Sequence, residues 1–139
     1  MSSTIRRELK FAQSPETVWR ALTDSAALAE WIYPNDFEPR VGHRFTFHVP
    51  PKPGLEDGLI VRCEVLKCVP PSELVLTWLV GEFLNTRVSY RLEPDGTGTH
   101  VLFEHSGFED EGALRGAEYG WTVMHRKLAK ALAQERSSR

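Results

Sequence analysis

Two side chains with acid–base chemistry fall where an apolar interior is expected. His105 lies two residues from Phe103 and four from Val101, so in a strand the three side chains share one face. Tyr90 alternates with apolar residues in the same way. A buried imidazole could orient a polar ligand group or transfer a proton near neutral pH, with Tyr90 assisting. The alternative is a core histidine bonded to a backbone carbonyl or a hydroxyl.

The four tryptophans provide a second candidate feature. An indole ring gives a large apolar wall with a single N–H donor, which suits either a ligand pocket or a core. We expect Trp31 and Trp121 to border a cavity, and Trp19 to belong to the core. The expectation that Trp78 borders a cavity lies between these two.

The spacing of the residues does not predict a metal site or a nucleotide-binding site. His43 and His48, like His100 and His105, are five apart, which in a strand sends the two members of a pair to opposite faces. The sequence lacks the short motifs of zinc peptidases, serine hydrolases and phosphate-binding loops. We therefore predict no metal site and no cofactor, and we assign no catalytic residue.

Composition describes a single domain. The 139 residues can bury a core without disulfide bonds, and 17 basic against 19 acidic residues give a net charge of −2. These charges are interspersed, without the basic face that a nucleic-acid-binding protein needs. No apolar run approaches the length of a membrane span. We expect one domain over residues 1–139, cytoplasmic, without nucleic-acid partners.

The two cysteines, Cys63 and Cys68, are five residues apart in one predicted strand. Strict alternation would place them on opposite faces, too far apart for a disulfide bond. We expect both to be free thiols.

The predicted elements form an α+β order. A first strand is predicted over 5–12, where Arg7 interrupts the alternation of apolar and polar residues. Two short helices follow, which begin near Ser14 and Asp24, both good N-caps. Strands follow over 41–49, 59–69, 73–80, 83–93 and 98–106, and short links make them antiparallel neighbours. An amphipathic helix over 112–135 is long enough to cross the sheet.

Two glycines interrupt this last helix. Gly116 and Gly120 are four apart, and each costs about 1 kcal/mol relative to alanine. Close approach of the helix to a strand is one explanation, and room for a bound molecule beneath the helix is the other. The acidic residues 109–111 are expected to favour the positive end of the helix.

This order of elements resembles the helix-grip fold of the START-like (SRPBCC) superfamily, in which a curved antiparallel sheet wraps around a long C-terminal helix. Several segments are similar to bacterial homologues of the activator of heat shock protein 90 ATPase. They are SPETVWRALT at 14–23, LAEW at 28–31, VPP at 69–71 with LVLTW at 74–78, HSGF at 105–108, and Gly120-Trp121.

The resemblance and the aromatic residues together give a first hypothesis, which is a hydrophobic small-molecule binding protein for a lipid, a sterol or a polyketide-like compound. The ligand would lie between the sheet and the C-terminal helix. The residues predicted to line the cavity are Trp31, Phe47, Trp78, Tyr90, Phe103, His105, Trp121 and Met124.

The resemblance also implies two alternatives. One is a regulator of the heat shock protein 90 ATPase, with that chaperone as partner. The other is an enzyme of the polyketide cyclase or dehydratase kind with His105 as acid or base, although a non-enzymatic role is the stronger expectation. A homodimer is a further expectation.

Overall fold

The computed structural model describes residues 2–82 and 84–137, and it confirms the helix-grip α+β fold. Within these residues, six antiparallel strands form one curved sheet in the order β1-β6-β5-β4-β3-β2, with three helices. The strands are β1 (Ser3–Phe11), β2 (Arg44–Val49), β3 (Leu59–Val69), β4 (Glu73–Val80), β5 (Leu84–Asp95) and β6 (Gly98–Phe108). The helices are α1 (Pro15–Thr23), α2 (Ser25–Trp31) and α3 (Glu111–Ser137).

Local capping explains where the first two helices begin. The Ser14 hydroxyl accepts a hydrogen bond from the Thr17 N–H at 3.3 Å, and Pro15 occupies the first turn of α1. Asp24 ends α1 and also caps α2, because its carboxylate accepts the Ala27 N–H at 3.0 Å. The chain therefore turns between two helices at a single residue.

The sheet register places one row of inward-facing residues beneath α3. Arg7 on β1 pairs with Phe103 on β6, Phe103 pairs with Tyr90 on β5, and Tyr90 pairs with Leu74 on β4. Trp121, Leu128 and Leu132 of α3 are each only 1% exposed. The core therefore lies between one face of the sheet and the apolar side of α3, as the periodicities predicted.

The prediction that the two cysteines point to opposite faces is wrong. The register between β3 and β4 shifts between Val65 and Lys67, which inserts one extra residue into the alternation. After this bulge Cys68 pairs with the buried Leu74 and packs against the same core as Cys63. Both thiols are free, and burial raises the pKa of Cys63 far above its ordinary value.

The Asp110 carboxylate accepts the Ala113 N–H at 2.8 Å, so one of the acidic residues 109–111 lies at the positive end of α3, where they were expected to be favourable. The glycines in α3 are not explained by close approach to a strand. A methyl group at Gly116 would meet no atom within 4 Å, and one at Gly120 would contact only the end of Met124 at 3.8 Å. That explanation is wrong. Gly116 is exposed, so the open space beside it is solvent and does not lie beneath the helix.

Of the helices within the described ranges, none is both long enough and apolar enough to cross a bilayer.

Candidate functional site

The interior between the sheet and the helices is almost filled. An apolar cavity of about 10 Å³ lies there, which is room for roughly one water molecule. Pockets for small ligands usually measure about 300 to 1,000 Å³. The cavity is lined by Leu22, Leu28, Trp31, Ile32, Phe47, Leu74, Leu76, Trp78, Val88, Tyr90 and Trp121.

The residues predicted to line the cavity divide into two groups. Those on the cavity wall are Trp31, Phe47, Trp78, Tyr90 and Trp121. Phe103 and His105 are fully buried but lie behind Trp121, with ring centres 4.8 and 5.9 Å from its indole. Met124 is half-buried at the side of α3 and does not border the cavity.

Aromatic rings account for the small volume of the cavity. The centre of the Trp78 ring is 5.1 Å from that of Trp121 and 5.5 Å from that of Phe47. Trp31 meets the edge of Tyr90 at 6.4 Å. These side chains come from α2, α3 and three strands, so their convergence depends on how the helices sit on the sheet.

His105 is held in a continuous chain of hydrogen bonds. The Trp121 indole N–H donates to His105 Nδ1 at 2.9 Å, so Nδ1 must carry no proton. The proton of the neutral ring then lies on Nε2, which donates to Thr86 Oγ1 at 2.7 Å. Thr86 Oγ1 in turn donates to the carbonyl oxygen of Trp78 at 2.7 Å. One tautomer therefore satisfies every donor in the chain.

This arrangement keeps His105 neutral. Burial lowers the pKa of His105 from 6.5 to about 3, because a charged ring would lose its hydration. Protonation would also put a proton on Nδ1, where Trp121 already donates. Both ring nitrogens are thus bonded to protein groups, which is the structural alternative considered for this residue.

A second buried pair, Tyr90 and His125, was missed by the sequence analysis. The Tyr90 hydroxyl lies 2.9 Å from His125 Nε2, and the His125 ring stacks on Trp121 with centres 5.3 Å apart. Burial is the main cause that lowers the pKa of His125 to about 4, and the nearby Arg7 guanidinium adds to it. His125 lies four residues after Trp121 and three before Leu128, so the helical spacing could have identified it.

A groove on the surface lies directly behind one wall of the cavity. It has a volume of about 440 Å³ and runs between α1, α2 and the end of α3. Trp31 lines both this groove and the cavity, and its indole N–H donates to the Ala21 carbonyl at 3.0 Å. The groove also contains the charged residues Arg20, Asp24 and Glu30. Trp31 is therefore the partition between the outside and the apolar interior.

Another depression of about 440 Å³ lies on the outer face of β2, β3 and β4. Its lining includes the charged residues Asp36, Arg44, Arg62 and Glu64, and no residue of the cavity wall. Within residues 2–82 and 84–137, no three histidine, cysteine or acidic side chains converge as a metal site would require.

Solved structures share this fold over almost the whole chain. A protein from Mesorhizobium loti is 36% identical, with a TM-score of 0.86, and the match covers 95% of this chain and 98% of that protein. The AHSA1 protein from Silicibacter pomeroyi is 26% identical, with a TM-score of 0.81 and coverage of 96% and 99%. DynU16, from the dynemicin biosynthetic locus, is 20% identical with a TM-score of 0.81, and the match covers 94% of this chain and 47% of that protein.

No curated protein matches the sequence. The model of one protein family, described as activator of Hsp90 ATPase homolog 1-like protein, matches residues 12–133. That range includes α1, α2, all strands except β1 and most of α3. The chain therefore belongs to the family of activator of Hsp90 ATPase homolog 1-like proteins, within the START-like fold.

Proposed function

We propose that this protein binds a hydrophobic small molecule between the sheet and α3, and that the ligand enters by displacing Trp31. The ligand class is a lipid, a sterol or a polyketide-like compound. The observation that carries the proposal is that Trp31 alone of the cavity-lining aromatic residues also lines the surface groove. Moving one side chain would join the two spaces.

An apolar ligand must offset the cost of this movement. Turning Trp31 outward breaks one hydrogen bond, to Ala21, which contributes about 1 kcal/mol, and it also exposes an indole that is only 1% exposed in the closed state. A ligand that replaces the indole regains apolar burial at about 25 cal/mol per Å². The remaining polar groups of the wall, on Tyr90 and Trp121, are already bonded to protein partners, so an apolar body leaves none of them newly unsatisfied.

Screening tests the binding directly. Native mass spectrometry of the purified protein, with thermal-shift assays against lipids, sterols and aromatic polyketides, should reveal a bound ligand or stabilisation. The neutral fluorescent probe 1-pyrenebutanol should bind, with a fluorescence change. Absence of any ligand, stabilisation or probe binding would contradict the proposal.

A pair of variants tests the route of entry. Trp31→Phe removes the bond to Ala21 and part of the partition. If this lowers the barrier to entry by about 1.4 kcal/mol, 1-pyrenebutanol associates about tenfold faster. Trp19→Phe is the matched control, since Trp19 is 8% exposed and buried in the core but lines neither space. Equal association rates in the two variants would exclude entry at Trp31.

The description of the family names a competing function, which is regulation of the Hsp90 ATPase. An ATPase assay with a bacterial Hsp90 tests it, and stimulation by the ligand-free protein would favour that function. A cyclase or dehydratase would need a ring nitrogen of His105 that faces a substrate. Both nitrogens are bonded to Trp121 and Thr86, which favours binding over catalysis.

A further inference from the structure

Arg7 is an inward-facing cation without an acidic partner. It follows Ile5 on the inner face of β1, and its half-buried side chain lies in the seam between β1 and α3. There it donates to Thr122 Oγ1 at 3.0 Å and to the Glu118 carbonyl at 3.4 Å, both uncharged acceptors. Among the residues that the structure describes, no carboxylate forms an ion pair with Arg7. Its neighbour Arg6 faces outward and pairs with Glu104 at 2.6 Å.

The position of Arg7 relates it to the apolar interior. Arg7, Phe103 and Tyr90 are neighbours in one row across three strands, and Tyr90 borders the cavity. His125 of α3 lies above this row, with its ring centre 4.6 Å from that of Phe103 and its Nε2 on the Tyr90 hydroxyl. The row thus leads from the cavity, past two neutral polar groups, to a positive charge at the seam.

The chemistry of the row favours a ligand with one anionic end. A guanidinium has five N–H donors in a planar fork that matches a carboxylate, and Arg7 uses two of them in the bonds to α3. A bond between two charged groups in a partly buried seam is stronger than the existing bonds to neutral oxygens. Tyr90 and His125 are bonded to each other at 2.9 Å, so neither requires a polar atom of the ligand.

We propose that Arg7 binds the carboxylate of an amphipathic carboxylic acid whose apolar body lies beneath α3 in the row of Phe103 and Tyr90. This inference rests on the proposed function, because it requires a ligand in the interior. Arg7 then determines which hydrophobic molecules are retained, selecting acids over alcohols and esters.

Two probes that differ only in their polar end test the selection. 1-Pyrenebutyric acid carries a carboxylate at neutral pH, and 1-pyrenebutanol has the same apolar body with a hydroxyl. Fluorescence titration of the wild-type protein should give at least tenfold tighter binding of the acid. In Arg7→Gln this ratio should fall to about one, while the affinity for the alcohol stays unchanged.

Further variants separate selection from a structural role of Arg7. Arg7→Lys keeps the charge and should keep a preference for the acid. Thr122→Val removes a protein acceptor of Arg7 without removing the charge, and should also keep the preference. Arg6→Gln, on the same strand but facing outward, is the matched control and should behave like the wild type. Thermal denaturation of each variant shows that it is folded.

The outcomes distinguish the two proposals. If both probes bind equally well to the wild type, or if Arg7→Gln retains the preference for the acid, the carboxylate site is wrong while ligand binding stands. If neither probe binds, ligand binding in the interior fails and the carboxylate site fails with it. A ratio that falls in Arg7→Gln but not in Arg6→Gln supports the site.

Discussion

The hydrogen-bond chain through His105 leads to a quantitative prediction for Thr86→Val. Valine has nearly the shape of threonine but lacks the hydroxyl, and Thr86 is only 2% exposed. The substitution removes the acceptor of the His105 Nε2–H and the donor to the Trp78 carbonyl. The packing volume is retained, so the effect isolates the polar contacts.

The expected loss follows from the number of groups left without a partner. The Nε2–H of His105 would be buried without an acceptor, which costs about 1–3 kcal/mol, and the lost bond to the Trp78 carbonyl contributes about 1 kcal/mol. Water cannot replace the hydroxyl, since His105 is 1% exposed. We therefore expect the free energy of unfolding to fall by about 2–4 kcal/mol.

Thr99→Val is the matched control. Thr99 is also buried, at 1% exposure, but its hydroxyl makes a single bond, to the Gln13 carbonyl at 2.8 Å. Its replacement should cost about 1 kcal/mol. Urea denaturation at pH 7, followed by tryptophan fluorescence and circular dichroism, gives both values with the wild type as reference.

The comparison of the two variants decides the outcome. If Thr86→Val lowers the free energy of unfolding no more than Thr99→Val does, the continuous chain through His105 is not a stabilising unit. Nitrogen NMR of the wild type gives an independent check, because the structure requires the proton of His105 on Nε2. A ring protonated on Nδ1 would refute the assignment of the Trp121 indole as donor.

Stability should also depend on pH and on two glycines. The folded-state pKa values of His105 and His125 are about 3 and about 4, below the ordinary 6.5. Below pH 6.5 the unfolded chain therefore binds more protons than the folded protein, and stability falls. Between pH 7 and pH 5 the free energy of unfolding should drop by about 3–4 kcal/mol in urea titrations, and a pH-independent value would contradict the buried neutral rings. Gly116→Ala should raise the free energy of unfolding by about 0.5–1 kcal/mol, because a methyl group there meets no atom within 4 Å and alanine favours the helix. Gly96→Ala should instead destabilise, because Gly96 has a φ of +63°. Thermal melts of the two glycine variants should shift in opposite directions.

The sequence by itself determined the order of elements and the face that each one buries. Caps such as Ser14 and Asp24 act within one helical turn, and alternation along a strand places residues such as Tyr90 and His105 inward without reference to distant residues. These are short-range rules, so they can be applied before the fold is known. They failed at Cys68, where a bulge shifted the alternation by one residue.

Only the tertiary structure decided how much space remains inside and which groups the buried histidines meet. The cavity volume depends on how Trp31, Trp78 and Trp121 pack together from different elements, and small shifts between these elements would change it greatly. The partners of His105 lie 16 and 19 residues away in the sequence, and Tyr90 lies 35 residues from His125. Local periodicity predicts the direction of a side chain, whereas its contacts depend on the packing of helix against sheet.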